Sequence, residues 1–163
     1  MTGQHHGKRV LMGEAETTQF GQSLAETLSA GDTLLLSGPL GAGKSALARA
    51  VIRALLGTEE DVPSPTYTLV QTYGSPVREV LHADLYRLGD PGEAEELGVL
   101  DSDESRIVLI EWPERLGDAL PARYLWLAID IAEEGRARTV EASTRGNGWD
   151  DAIAAFHALR EAA

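Results

Sequence analysis

Residues 38–45 read Gly-Pro-Leu-Gly-Ala-Gly-Lys-Ser and match the pattern G-x-x-x-x-G-K-[ST] at every fixed position. A loop of this kind follows a strand and opens a helix, because its backbone N–H groups and the helix N-terminus must face the same point. The chain supplies both elements, since an apolar run at residues 33–36 precedes the motif and an amphipathic stretch at residues 44–56 follows it. The motif therefore predicts a strand–loop–helix unit and, with it, an α/β fold.

The residue types in this pattern suit the chemistry of a phosphate. Glycines let the backbone curl so that successive N–H groups point inward, and the helix adds the positive end of its dipole. We expect Lys44 to reach the β- and γ-phosphates and the hydroxyl of Ser45 to bind Mg²⁺. The predicted ligands are ATP and Mg²⁺, since the chain has no Asn-Lys-x-Asp sequence of the kind that reads guanine. The predicted nucleotide-binding residues of the loop are Gly38, Leu40, Gly41, Ala42, Gly43, Lys44 and Ser45.

A site of this class also needs a carboxylate at the end of a neighbouring strand. Glu111 directly follows the apolar residues 107–110, so we expect it at the carboxyl edge of a central strand, where ligands bind in open α/β sheets. Asp84 ends a second candidate strand, and Thr66 follows a Ser-Pro pair on a stiffened loop of the kind that responds to nucleotide state. The alternatives are a solvated acid at either strand end, in a chain with 26 acidic residues, and a plain rigid turn at Thr66.

The rest of the chain is organised around this unit. Its 163 residues predict one domain, residues 1–163, with residues 1–9 as a frayed tail that includes His5 and His6. The predicted fold class is α/β, a three-layer P-loop NTPase-like sandwich with a mixed, partly antiparallel central sheet. The further predicted elements are a helix capped by Thr17 and ended by Gly31, a hairpin of residues 67–73 and 77–83, a short helix at 90–97, strands at 124–131 and 138–142, and a final helix at 149–160.

Composition narrows the function classes. The chain has no cysteine, which excludes disulfides, thiolate zinc sites and cysteine nucleophiles. A net charge of −12 repels nucleic-acid phosphates, so we expect contact with RNA only through a partner protein. The sequence contains neither a signal peptide nor an apolar run of about 20 residues, so we expect no membrane contact and a cytoplasmic location.

Four motifs occur in a fixed order between residues 14 and 142. They are residues 38–45, residues 64–70 (Ser-Pro-Thr-Tyr-Thr-Leu-Val), residues 82–87 (His-Ala-Asp-Leu-Tyr-Arg) and residues 110–114 (Ile-Glu-Trp-Pro-Glu). In this order they resemble the bacterial TsaE (YjeE) family, the P-loop ATPases of tRNA threonylcarbamoyladenosine synthesis. Two positions depart from the family pattern, since Pro39 stands in place of the more usual Asp and Ser45 in place of Thr. Serine keeps the hydroxyl, and Pro39 lacks only one N–H at a variable position.

The resemblance implies a small ATPase that works with the proteins TsaB and TsaD, which install threonylcarbamoyl on the adenosine beside the anticodon. We expect hydrolysis by the protein alone to be slow, because the sequence shows no clearly placed arginine finger. The resemblance also implies Ser45 and Glu111 as Mg²⁺ ligands and Lys44 as the phosphate clamp. Thr66 and Asp84 are implied members of the switch and hydrolysis apparatus. Two further residues, Thr17 and Arg138, are implied to lie near the adenine.

Two other functions fit a phosphate loop. A P-loop small-molecule kinase needs an acceptor pocket and an arginine-bearing lid, and the sequence shows no compact lid pattern. A pure binding module would use ATP only to set its shape. Phosphate that appears on an added metabolite would favour the kinase. Nucleotide-dependent partner binding, with no rise in hydrolysis when the partner is saturating, would favour the module.

Overall fold

A mixed sheet runs through the computed structural model, which describes residues 3–57, 62, 65, 69–75, 78–99 and 105–162. Within these residues the sheet has eight strands in the order β3-β4-β5-β2-β6-β7-β1-β8. The strands are β1 (Gln4–Met12), β2 (Thr33–Ser37), β3 (Val70–Ser75), β4 (Arg78–Asp84), β5 (Arg106–Glu111), β6 (Tyr124–Ala132), β7 (Ala137–Arg145) and β8 (Arg160–Glu161). The neighbours β4, β5, β2 and β6 run parallel, and the outer strands pair antiparallel.

Helices cover the sheet on both faces. They are α1 (Gly13–Thr27), α2 (Lys44–Leu56), α3 (Gly92–Glu96) and α4 (Asp150–His157), with 3-10 turns at Pro113–Leu116 and Glu133–Gly135. Phe20 of α1, Leu47 of α2 and Phe156 of α4 belong to one buried cluster, whereas Ala94 of α3 belongs to a second. The predicted three-layer α/β sandwich with a mixed sheet is therefore confirmed. Among the described helices, none is both long and apolar enough to span a bilayer.

Strand β1 corrects the prediction of a frayed N-terminus. Residues 4–9 lie in β1, which pairs with β7 along nearly its whole length and also with β8. The ring of His6 is hydrogen-bonded to the hydroxyl of Thr144 at 2.7 Å, and burial lowers the pKa of His6 from its usual value. The polar composition of residues 4–9 gives no strand signal, because the partner that orders them lies near the other end of the chain.

The start of α1 also differs from the prediction. The helix begins at Gly13, so Thr17 lies one turn inside it and donates its hydroxyl to the carbonyl of Gly13 at 3.3 Å. The backbone N–H of Met12, at the N-cap, is instead bound by the Glu16 carboxylate at 3.1 Å. A carboxylate that reaches back to the helix start satisfies one of the free donors and favours the positive end of the dipole.

Other predicted bounds shift by a few residues. The predicted hairpin is present as β3 and β4, although residues 66–68, 76 and 77 lie outside the described residues. The final helix, predicted to reach residue 160, ends at His157, and Arg160 lies instead in β8 beside β1. Pairing with β1 offers the residues of β8 backbone partners that a helix end does not.

Candidate functional site

The phosphate loop connects β2 to α2 as predicted. Gly38 follows the last residue of β2 with a φ of 143°, and a Cβ at this position would lie 2.1 Å from the carbonyl oxygen of Ile129. Gly43, with a φ of 106°, caps α2. Both backbone conformations favour glycine, so the fixed glycines of the motif are explained by the path of the loop.

Lys44 is folded back over the loop. Its ammonium donates to the carbonyls of Gly38 at 2.6 Å and Pro39 at 2.9 Å, and it lies 4.3 Å from the ring centroid of Trp112. The side chain is almost fully buried, and this burial lowers the pKa of Lys44 from its usual value. The nearby carboxylates of Glu111, Glu114 and Asp84 oppose the shift by stabilising the charged form.

Ser45, Glu111 and His82 form one connected group beside the loop. The hydroxyl of Ser45 donates to Oε1 of Glu111 at 2.8 Å, and Nε2 of His82 lies 2.7 Å from Oε2 of the same carboxylate. An ionised carboxylate only accepts hydrogen bonds, so toward an ionised Glu111 the ring of His82 donates from Nε2. Glu111 is 1% exposed and His82 is fully buried.

Asp84 lies next to this group at the end of β4. It pairs with Glu111 in the register of the parallel strands β4 and β5, so both acids reach the same carboxyl edge of the sheet. Asp84 is buried, and its Oδ1 accepts the backbone N–H of Tyr86 at 3.0 Å. The two strand ends that the sequence singled out are therefore neighbours in space.

An aromatic pair lies beside the lysine. Trp112 adopts a left-handed conformation with a φ of 60°, and its ring packs against Tyr86 with the centroids 5.0 Å apart. A bulky residue at positive φ is uncommon and is typical of functional sites. The strained turn directs the indole ring toward the ammonium of Lys44.

A cavity of about 950 Å³ borders the phosphate loop. It is lined by α1, the loop, α2 and the turn before β7, and both Thr17 and Arg138 are among its lining residues. Arg49, Arg53 and Arg136 also line it, so the cavity is basic in a chain whose net charge is −12.

Arg138 contacts the phosphate loop itself. Its guanidinium donates to the carbonyls of Ala42 at 2.8 Å and Gly41 at 3.3 Å. These bonds hold two carbonyls of the loop toward Arg138. The structure thus gives Arg138 a support role for the loop, and its predicted contact with adenine stays a prediction.

The amino-acid sequence of this chain is similar to the members of one known protein family. The sequence profile of the family described as "Threonylcarbamoyl adenosine biosynthesis protein TsaE" matches residues 11–140. The chain belongs to the TsaE family. Relatives with the name "tRNA threonylcarbamoyladenosine biosynthesis protein TsaE" occur in distant bacteria. The one from Haemophilus influenzae is 37% identical over 149 residues, which cover 88% of this chain and 92% of the relative. The one from Mycobacterium tuberculosis is 38% identical over 134 residues, which cover 76% and 78%.

A solved structure agrees with this TsaE assignment. The crystal structure of Bacillus subtilis YdiB superposes on this chain with a TM-score of 0.72 and 25% sequence identity, and 93% of each chain is covered. The likeness therefore covers a larger share of the chain than residues 11–140, which the TsaE profile matches.

The residues of this TsaE-family chain fit the predicted ligands. The loop offers a buried ammonium at Lys44, a helix N-terminus and a backbone path that only glycine allows at Gly38. The hydroxyl of Ser45 and the carboxylate of Glu111 lie together, and such oxygen ligands suit Mg²⁺, which takes few protein ligands beside phosphates and waters. Thr66, the predicted switch residue, lies outside the described residues.

The sequence interpretation missed the contact of His82 with the site. The sequence analysis named His82 only as part of the motif at residues 82–87, whereas its ring binds the carboxylate of Glu111. A signal was present, because His82 and Asp84 are two residues apart in a strand and therefore share one face. A histidine that shares a strand face with a candidate site acid indicates a role beside that acid.

Proposed function

We propose that this TsaE-family protein binds ATP with Mg²⁺ at the phosphate loop and hydrolyses it as an accessory to TsaB and TsaD in threonylcarbamoyl modification of tRNA. The observation that supports it most is the 2.8 Å contact between Ser45 of the loop and Glu111 of the neighbouring strand, in a chain of this family. It joins the two predicted metal ligands at the N-terminus of α2. When bound, Mg²⁺ would neutralise charge on the phosphate oxygens.

Each residue has a proposed task. The ammonium of Lys44 leaves the carbonyls of Gly38 and Pro39 for the phosphates, a charge-assisted exchange over a short distance. Ser45 and Glu111 hold the metal, and Asp84, together with Thr66, belongs to the hydrolysis step. The basic cavity that contains Thr17 and Arg138 takes the nucleoside end of ATP.

We further propose that hydrolysis is slow without partners. Two arginines near the loop are already engaged, since Arg138 bonds to loop carbonyls and Arg115 lies over the ring of Tyr86 at 5.9 Å. A missing arginine in related phosphoryl-transfer sites lowers the rate by about 10³–10⁵. The strongly acidic surface favours contact with tRNA through TsaB and TsaD in the cytoplasm.

The test is phosphate release from Mg²⁺-ATP by the full chain, with and without purified TsaB and TsaD from the same organism. We expect a slow basal rate that rises about tenfold or more when both partners are present, as expected when an interface completes a site. An unchanged rate with a competent partner pair would contradict the accessory role. Phosphate found on an added metabolite would instead favour a kinase.

Two variants test the site. Lys44→Ala removes charge-assisted bonds worth about 1.5–3 kcal/mol each, so ATP binding should weaken about tenfold or more.

Glu111→Gln should leave nucleotide binding in EDTA near wild type and abolish its dependence on Mg²⁺. The control is Asp130→Asn, an exposed acid near the carboxyl end of β6 on the other side of β2. Normal hydrolysis by both site variants would refute the assignment.

A further inference from the structure

We propose that His82 is a positioning residue that fixes the orientation of the Glu111 carboxylate. This inference rests on the proposed function, because it assigns His82 a task toward a metal ligand. His82 does not reach the loop itself in the described contacts. It binds the far oxygen, Oε2, and thereby leaves Oε1 directed at Ser45.

The strand register makes this contact possible. His82 lies in β4 opposite Leu109 of β5, and Glu111 is two residues farther along β5. Positions two apart share one face of a strand, so His82 and Glu111 project from the same face of two adjacent strands. Both side chains are essentially inaccessible to water, so solvent cannot replace the histidine donor.

The carboxylate needs such an outside constraint. The terminal torsion of glutamate is broad and roughly two-fold, so the side chain alone does not select which oxygen faces Ser45. Two donors on opposite oxygens fix both the plane and the identity of the oxygen that faces the loop. Groups that hydrogen-bond to a ligating carboxylate tune metal affinity in the same way in other sites.

The second ring nitrogen argues against a role in packing alone. Nδ1 of His82 is buried and has no hydrogen-bond partner among the described residues. An unpaired buried nitrogen costs stability that an apolar side chain of similar size avoids. The donor at Nε2 is what this histidine supplies and an apolar residue cannot.

The experiment compares two amides of different reach. In His82→Gln the side-chain nitrogen is as many bonds from Cβ as Nε2 of histidine, whereas in His82→Asn the nitrogen is one bond short. Binding of a fluorescent, non-hydrolysable ATP analogue to the full chain is measured in EDTA and during titration with Mg²⁺. Thermal melting shows that each variant is folded.

We expect both variants to bind the analogue in EDTA as wild type does. The Mg²⁺ concentration at half-effect should rise about 10–100-fold in His82→Asn, as for other residues that support metal ligands, and stay within about threefold of wild type in His82→Gln. If His82→Asn fails to fold, His82→Gln still decides, because a folded His82→Gln with a tenfold weaker Mg²⁺ effect overturns the inference.

The other outcomes separate this inference from the proposed function. Equal and wild-type Mg²⁺ dependence in both variants overturns the role of His82 and leaves the proposed function intact. An equal loss of Mg²⁺ affinity in both variants also overturns it, because the distance of the side-chain nitrogen from Cβ would then make no difference. A wild-type protein whose nucleotide binding does not respond to Mg²⁺ overturns the metal role in the proposed function and, with it, this inference.

Discussion

The two halves of the sheet differ in what covers them. In the covered half, strands β4, β5 and β2, residues 107–111 and 34–37 are buried without interruption. In the open half, strands β6, β7 and β1, half-exposed or exposed positions interrupt the buried ones: the two alternate along most of β7, and only Leu11 is buried in β1. A strand buried on both faces requires a continuous apolar run, whereas a strand with one solvated face requires alternation. The site carboxylates, at the ends of β4 and β5, therefore belong to the covered half, where the strands are buried on both faces.

The open half leaves a polar surface beside the loop. A second cavity of about 440 Å³ lies there, lined by Gly38 and Trp112 on the loop side and by Lys8, Asp130 and Glu141 on the strands. Lys8 and Glu141 are paired across β1 and β7 at 3.2 Å. The phosphate loop therefore lies at the boundary between a buried, apolar half and a solvated one.

The largest effect is expected at that boundary. Gly38→Ala combines a positive φ, worth about 1–3 kcal/mol, with a clash against the Ile129 carbonyl that costs about as much again, so we expect destabilisation of about 2–6 kcal/mol. Urea unfolding measures it. The control is Gly41→Ala, where the φ is 79° but a Cβ meets nothing within 4 Å, and about 1–2 kcal/mol is expected. Equal losses of stability in the two variants would show that the close approach of Ile129 in β6 does not restrict residue 38 of the loop.

A second prediction compares the same face of the two halves. Ile110 of β5 is fully buried under the second cluster, so Ile110→Ala should cost about 2–5 kcal/mol. Thr139 of β7 lies beside the open cavity, so Thr139→Ala should change stability by no more than about 0.5 kcal/mol. Urea unfolding of both variants measures the contrast. Similar losses would mean that the open face is packed as tightly as the covered one.

The smallest effect concerns an exposed ion pair at the outer edge of the open half. Arg160 of β8 donates to Glu16 of α1 at 3.0 Å, and this bonding lowers the pKa of Glu16 from its usual value. Because the pKa of Glu16 is lower in the folded protein than in the unfolded chain, where it is near 4.5, the ionised carboxyl stabilises the fold above that pH. The stabilisation is lost as the pH falls through the pKa that Glu16 has in the folded protein. Arg160→Gln should therefore melt slightly lower than wild type at pH 7, and the difference should vanish in acid.

A matched variant separates that pair from general charge effects. Arg145→Gln removes the same charge from a residue that has no acidic partner among the described residues. Melting temperatures from pH 7 down to pH 3 are measured for both variants. A difference that persists in acid, or one of equal size in Arg145→Gln, would show that the Glu16–Arg160 contact contributes nothing specific.

The sequence predicted the features that depend on local chemistry. The loop at residues 38–45 was predicted from a short motif, and the place of Glu111 at a strand end from a continuous apolar run. The structure has the loop between β2 and α2, and Glu111 at the end of β5. The three-layer fold followed from the alternation of these elements. The position of Asp84 opposite Glu111 needed only the rule that parallel strands end at one edge.

The features that the sequence did not predict depend on partners distant in the chain. The contact of His82 with Glu111 depends on the register between β4 and β5, so the two-residue spacing of His82 and Asp84 could indicate a place near the site but not this partner. Arg138 meets the loop only because β7 returns beside β6. Thr17 looked like a helix cap by residue type, but the chain enters α1 directly from β1, a strand that composition did not reveal.

The position of β1 has a consequence for the order of folding. Its main partner, β7, follows only after β2 to β6, so β1 is synthesised long before the strand that supplies most of its backbone bonds. Contacts between distant segments slow folding, because the chain must close a long loop before they form. Until then, an unpaired strand edge is available to other chains. Growing chains that stop before β7 should therefore be the most prone to aggregate, even though the phosphate loop and its acids have already been made.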